Sequence, residues 1–131
     1  MKPLRLLLLA GVMIGATPFA AKAQISPRAH FEDGTRVVWT AEPSPSDIWS
    51  AMRSSGLGHS DVSEWAFMVC TVAPNRRLES CEIGQQSPGG SQVGQALLQM
   101  ARRYRAASTD RAGAPSIGRR VLIGMGYGGT V

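Results

Sequence analysis

Cys70 and Cys81 stand eleven positions apart, one in each of two strand-like runs divided by turn-forming residues. Trp65 to Val72 (WAFMVCTV) is apolar, β-branched and aromatic, Leu78 to Ile83 (LESCEI) alternates apolar with polar, and Ala73-Pro74-Asn75-Arg76-Arg77 between them is turn chemistry. The pattern predicts a β-hairpin. With the turn centred between Asn75 and Arg76, Cys70 falls opposite Cys81, within reach of a disulfide, whereas a slip of one residue separates them. In that register Met68, Cys70, Val72, Glu79, Cys81 and Ile83 share one face, the better core face, with Glu79 at its rim. Phe67, Val69, Thr71, Leu78, Ser80 and Glu82 share the other. A cross-link over so short a loop stabilises by about 3 kcal/mol on a chain-entropy account, a useful fraction of the stability of a small domain.

A disulfide needs an oxidising compartment, and the first residues supply the route. Lys2 and Arg5 form a positive n-region, Leu6 to Ile14 an apolar h-region, and Ala21-Lys22-Ala23 an A-x-A cleavage site. The apolar stretch falls short of the about 20 residues a membrane helix needs. Residues 1–23 are therefore read as a signal peptide cleaved after Ala23, with no stable membrane anchor afterwards, and an uncleaved anchor as the competing reading. Loss of Lys2, Arg5 and Lys22 lowers the formal net charge from +5 to +2, so much of the basic character belongs to the precursor. The remaining basic residues are all arginine, paired at Arg76-Arg77, Arg102-Arg103 and Arg119-Arg120. A nucleic-acid footprint would be a denser basic stripe, so solvated faces are the better reading.

Residues 24–45 read as a polar lead segment, partly ordered at best, in which Val37-Val38-Trp39 is the main apolar group. Residues 46–131 read as one small domain. Ser46 or Asp47 could cap a short helix with Ile48, Trp49, Met52 and Leu57 on its apolar side. A longer helix is predicted from Gln92 to Arg105, with Val93, Ala96, Leu97, Met100, Ala101 and Tyr104 as one apolar stripe at helical period. From Arg119 to Tyr127, Val121, Ile123, Met125 and Tyr127 alternate with Leu122, Gly124 and Gly126, a strand with one bulky and one nearly bare face. Either the helix packs on the bare face or that face lies at the surface. The fold class expected is α+β: a three-stranded antiparallel sheet of hairpin, crossover helix and final strand, packed by one long helix and preceded by a short one. The first hairpin strand takes the centre.

From Trp65 to Tyr127 the chain resembles the C-terminal domain of the TonB energy-transducer family. The matching features are WAFMVCTV, the turn APNRR, LESCEI, Ser87-Pro88-Gly89-Gly90 before the helix, GQALLQMARRYR, Gly113-Ala114-Pro115, Gly118 and RRVLIGMGY, in the family's order. Ile48-Trp49-Ser50-Ala51 stands where the family commonly has Tyr-Pro-x-x-Ala, and the hairpin turn lacks the usual glycine. A working transducer also needs a retained membrane helix and a long proline-rich spacer, so the chain is expected to be a periplasmic variant and no transducer itself.

The resemblance implies that the last strand is a sheet edge accepting an extended peptide, such as a segment of an outer-membrane receptor, by β-strand addition. Carried onto this sequence, the edge comprises Arg119, Arg120, Val121, Leu122, Ile123, Gly124, Met125, Gly126 and Tyr127. Cover by Val37-Val38-Trp39 and pairing with a second copy as a homodimer are the alternatives. The expected function is thus a periplasmic interaction module, possessing no enzyme activity, cofactor, metal or nucleic-acid partner, with a link to outer-membrane transport. The competing class is a small secreted hydrolase using the loop around His59. Its candidate groups are His30, His59, Asp61, Glu64, Glu79 and Glu82, which show neither metal-ligand spacing nor a positioned nucleophile and base. Glu79 and Glu82 are expected on opposite faces of their strand.

Overall fold

The structure is a computed structural model that describes residues 27–56, 64–89 and 91–127. The expected signal peptide, Leu57, His59 and Asp61 lie outside the described residues. Along the chain come β1 (Arg28–Phe31), β2 (Trp39–Ala41), α1 (Pro45–Ser54), β3 (Glu64–Val72), β4 (Leu78–Gln86), α2 (Ser91–Met100), a 3-10 turn (Ala101–Arg103), β5 (Arg105–Ala106) and β6 (Arg120–Tyr127). A four-stranded sheet has the order β1-β6-β3-β4, antiparallel at every junction, and β2 pairs with β5 in a second, two-stranded sheet.

The α+β class holds, and the first hairpin strand lies between the second and the last as expected. The three-stranded sheet does not. The segment 24–45 supplies two strands that the sequence reading left out. In β1, Ala29 and Phe31 turn inward while Arg28 and His30 turn out, and Phe31 is only 1 % exposed. Four residues are too few for period two to stand out in a sequence, but one buried aromatic is enough to seat the strand. In β2, Trp39 lies against the Tyr104 ring at 4.6 Å between centroids. Tyr104 is buried, and that burial raises its phenol pKa, with the negative charge of Glu42 adding to the effect. The same packing ends the long helix early. After the 3-10 turn, Tyr104 adopts an extended backbone, and Arg105–Ala106 becomes a strand beside β2 instead of a last helical turn.

The short helix starts earlier than expected. Ser44 is its cap, its hydroxyl accepting from the Asp47 amide at 3.1 Å while the Asp47 carboxylate accepts from the Ser44 amide at 2.9 Å. Pro45 follows at the first helical position, where its missing N–H costs nothing. The core lies on one side of the large sheet. Helix α2 packs across β3, β4 and β6, and α1 packs on α2. Val93, Ala96, Leu97 and Met100 of α2 meet Met68, Cys70 and Val72 of β3 and Val121, Ile123 and Met125 of β6, all buried.

Cys70 and Cys81 form a disulfide, with Cα atoms 4.1 Å apart. Its surroundings correct the expected register. Thr71 pairs with Glu79 and Val69 with Glu82, so β4 spends one extra residue opposite Cys70, and Ser80 takes φ +54 there. This bulge reverses the parity of the strand end. Leu78 is turned to the core side, opposite buried Val72, and Glu79 is turned out beside Thr71. Glu79 and Glu82 therefore share one face of the strand, where opposite faces were expected. A second extra residue falls at Gly84, between Met68↔Ile83 and Phe67↔Gln85. In the turn, Arg76 takes φ +71 without glycine, its amide donating to the Ala73 carbonyl at 2.7 Å, and Asn75 accepts from the Arg77 amide at 3.0 Å.

Candidate functional site

Helices cover only the inner face of the large sheet among the described residues. The outer face of β6 is Leu122, Gly124 and Gly126, and cross-strand pairing sets Trp65 against Gly126, Phe67 against Gly124 and Val69 against Leu122. On the far side Arg28 pairs with Gly124 and His30 with Leu122. A strand of near-bare backbone thus runs between two strands with large side chains, making an open, mostly apolar trough of about 640 Å³ with Arg28 and His30 along one wall and Phe67 along the other. Trp65 continues the aromatic wall and is 46 % exposed. A Cβ on Gly84 would overlap the Phe67 ring, so that ring leans toward β4 and leaves the space above Gly124 clear. The bare face expected from the sequence lies at the surface, and Val121, Ile123 and Met125 face the helix.

The nine residues expected to form an open edge divide into different environments. Arg119 precedes the strand and is half buried in a clamp. Its Nη1 donates to the Asp110 carboxylate at 2.8 Å, its Nη2 lies 3.3 Å from Asp33, and its guanidinium covers the Phe31 ring at 3.7 Å. The Asp110 carboxylate also accepts from the amides of Ala112 (2.8 Å) and Ala114 (3.0 Å). The Arg119 hydrogen bond, followed by those amides, holds the Asp110 carboxyl below the usual carboxylate range against the opposing effect of desolvation. Asp33 is lowered too, first by its hydrogen bonds with Thr35 and to a smaller degree by Arg119. The clamp ties β1 and its following turn to the start of β6.

Arg120 opens the strand and pairs with Glu32 at 3.1 Å. From there β6 is paired along its whole length on the β3 side, Arg120 with Thr71 through Tyr127 with Glu64. On its other side, among the described residues, β1 pairs with Val121 to Gly124 only. The strand is therefore not the end of the sheet, and the segment that covers it is Arg28–Phe31, not Val37-Val38-Trp39. The Arg119 carbonyl accepts from Val72 on the β3 side and the Arg120 carbonyl from Glu32 on the β1 side. Alternation then turns the backbone groups of Leu122, Gly124 and Gly126 toward β1, and those of Val121, Ile123 and Met125 toward β3. Gly126 is the one outward-turned residue of β6 that no described strand pairs on that side.

Among the candidate chemical groups, His30 stands exposed on β1 with its Nδ1–H donating to the Phe31 carbonyl at 2.8 Å. Glu64 is buried at the start of β3. Glu79 and Glu82 are exposed on the outer face of β4, across the sheet from His30. Among the described residues, no three His, Cys, Asp or Glu side chains gather closely enough to hold a metal ion, and no helix is long and apolar enough to cross a membrane. Arg28 is not evident from the sequence because its strand is short, whereas Trp65 has a signal there in its place two residues before Phe67 and four before Val69. No family model, curated protein or solved structure matches the chain.

Proposed function

We propose that the chain is an exported, periplasmic interaction module of the TonB C-terminal type, which takes an extended peptide as an added strand along β6. The observation that carries the reading is the mismatch on the two sides of that strand. Eight residues are paired with β3, but among the described residues only four are paired on the other side, with β1. β1 is tethered at its Phe31 end by burial and by the Arg119 clamp, while Arg28 and His30 keep their side chains in solvent. Arg28 to His30 peel away from that tether, and the incoming strand pairs with the outward amides and carbonyls of Leu122, Gly124 and Gly126. Main-chain hydrogen bonds supply the affinity.

The far edge, β4, is the poorer acceptor. Its two bulges and the outward Glu79 and Glu82 are devices that discourage strand addition.

The test is selection of a random extended-peptide display library on the chain beginning at Gln24, followed by amide-resolved NMR of a selected peptide complex. Binding should slow exchange at Gly126, and Gly126→Pro should abolish capture while circular dichroism shows the fold intact. Enrichment of no peptide, or peptides indifferent to Gly126→Pro that leave the Gly126 amide unprotected, would remove this reading.

A further inference from the structure

The outer face of the sheet is self-complementary in shape and charge. Its residues form rows across the strands. Trp65 lies beside Gly126, and the next row runs Arg28, Gly124, Phe67, Gln85. Then come His30, Leu122, Val69, Glu82, and last Arg120, Thr71, Glu79. The sheet's midline runs between β6, the strand of glycines, and β3, the strand of aromatics. A half-turn about an axis parallel to that midline, above the face, exchanges β6 with β3 and β1 with β4 while keeping every row over its own kind. Trp65 and Phe67 of one copy then stand over Gly126 and Gly124 of the other, and Leu122 stands over Val69. His30, with Arg28 beside it, stands over Glu82. Glu79 comes over the Glu32 end, where Arg120 already neutralises Glu32 at 3.1 Å.

We propose that this face is the interface of a two-fold homodimer in which two sheets stack face to face. A second copy suits the face better than an unrelated partner, because the exposed Trp65 ring meets the bare backbone at Gly126 and the basic end of the face meets the acidic end. Such an interface is isologous and closes on itself. Stacked sheets lie about 10 Å apart, a spacing that interdigitated side chains fill, and their strand directions stay within about 30° of each other. The lean of Phe67 toward Gly84 keeps the trough open to receive the other copy's ring.

Sedimentation velocity over a concentration series tests this on the chain from Gln24. A Cβ at Gly124 would lie 3.5 Å from the Phe67 Cβ and 3.8 Å from the Ala66 carbonyl oxygen, ordinary contacts, so the backbone there accepts a side chain. Gly124→Val adds two methyl groups in the trough, and circular dichroism checks that the single copy stays folded. The wild type should dimerise, and Gly124→Val and Glu82→Arg should each weaken the dimer at least about tenfold, or about 1.4 kcal/mol. The paired reversal Arg28→Glu with Glu82→Arg should recover most of the loss. A monomer persisting to about 1 mM protein, where only associations weaker than about −4 kcal/mol escape detection, overturns the proposal. So does a dimer indifferent to Glu82→Arg but lost in Gly126→Pro, since that pattern belongs to edge pairing. A monomer in which Gly124→Val abolishes peptide capture would make the trough a peptide pocket and equally overturn it.

Discussion

Gly84 and Gly124 lie on the same face of one sheet, on either side of β3, yet the Phe67 ring makes their roles opposite. It lies where a Gly84 side chain would go and stays clear of the space above Gly124. Gly84→Ala should therefore destabilise by at least about 1 kcal/mol, the lower end for overpacking, and push the ring toward the trough. Gly124→Ala meets only ordinary contacts and should stabilise by about 0.5–1 kcal/mol by restricting the unfolded chain. Urea denaturation of the two variants checks both signs, and equal shifts in the same direction would mean that the ring does not lean as described. The Asp110–Arg119 pair behaves as a pH-sensitive contact. The Asp110 carboxyl is lowered mainly by Arg119, so the pair's stabilisation is complete above the unfolded carboxylate value of about 3.9 and fades as pH falls through the lower folded value. The melting deficit of Asp110→Asn should be constant from neutral pH to about 5 and shrink in more acid solution. A deficit that does not change with acid would mean the carboxylate charge contributes nothing.

At the scale of elements, α2 is the part on which the fold depends most. Leu97 is fully buried at the centre of its stripe, within the same core as Met68 and Val72. Leu97→Ala should cost about 2–5 kcal/mol, measurable by equilibrium unfolding, and a near-neutral result would contradict the packing of α2 on β3. That stripe was legible in the sequence because six apolar positions repeat at helical period, β3 because it is an unbroken apolar, β-branched and aromatic run, and β6 because period two persists through it. The shorter elements were not. Four residues of β1 and three of β2 cannot establish a period, and what holds them is tertiary: Phe31 in the core, and Trp39 on Tyr104. The end of α2 was misplaced for the same reason, since Ala101 and Tyr104 continue the stripe while the tertiary contact with Trp39 draws Tyr104 into an extended backbone. The bulge at Ser80 had a similar effect on β4. The cysteine pair located the hairpin, but one extra residue reversed which side of the strand Leu78 and Glu79 occupy.

For the molecule as a whole, the consequence of those missed elements is that the last strand is covered by a short tethered segment and exposes a trough beside it. The bare face of β6 was legible in the sequence and the place of β1 was not, so the strand expected to be an open edge is in fact covered along half its length. If β1 is an exchangeable cover, its pairing should open without unfolding the core, because local opening draws on few buried contacts. Native-state hydrogen exchange resolved by NMR measures this on the protein alone. The amides of Leu122 and Gly124, turned toward β1, should exchange at least about a hundredfold faster than those of Ile123 and Met125, turned toward β3, a difference of about 2.7 kcal/mol in opening free energy. Equal protection of the two sets would show that β1 opens only when the whole domain unfolds, and would contradict strand addition along β6.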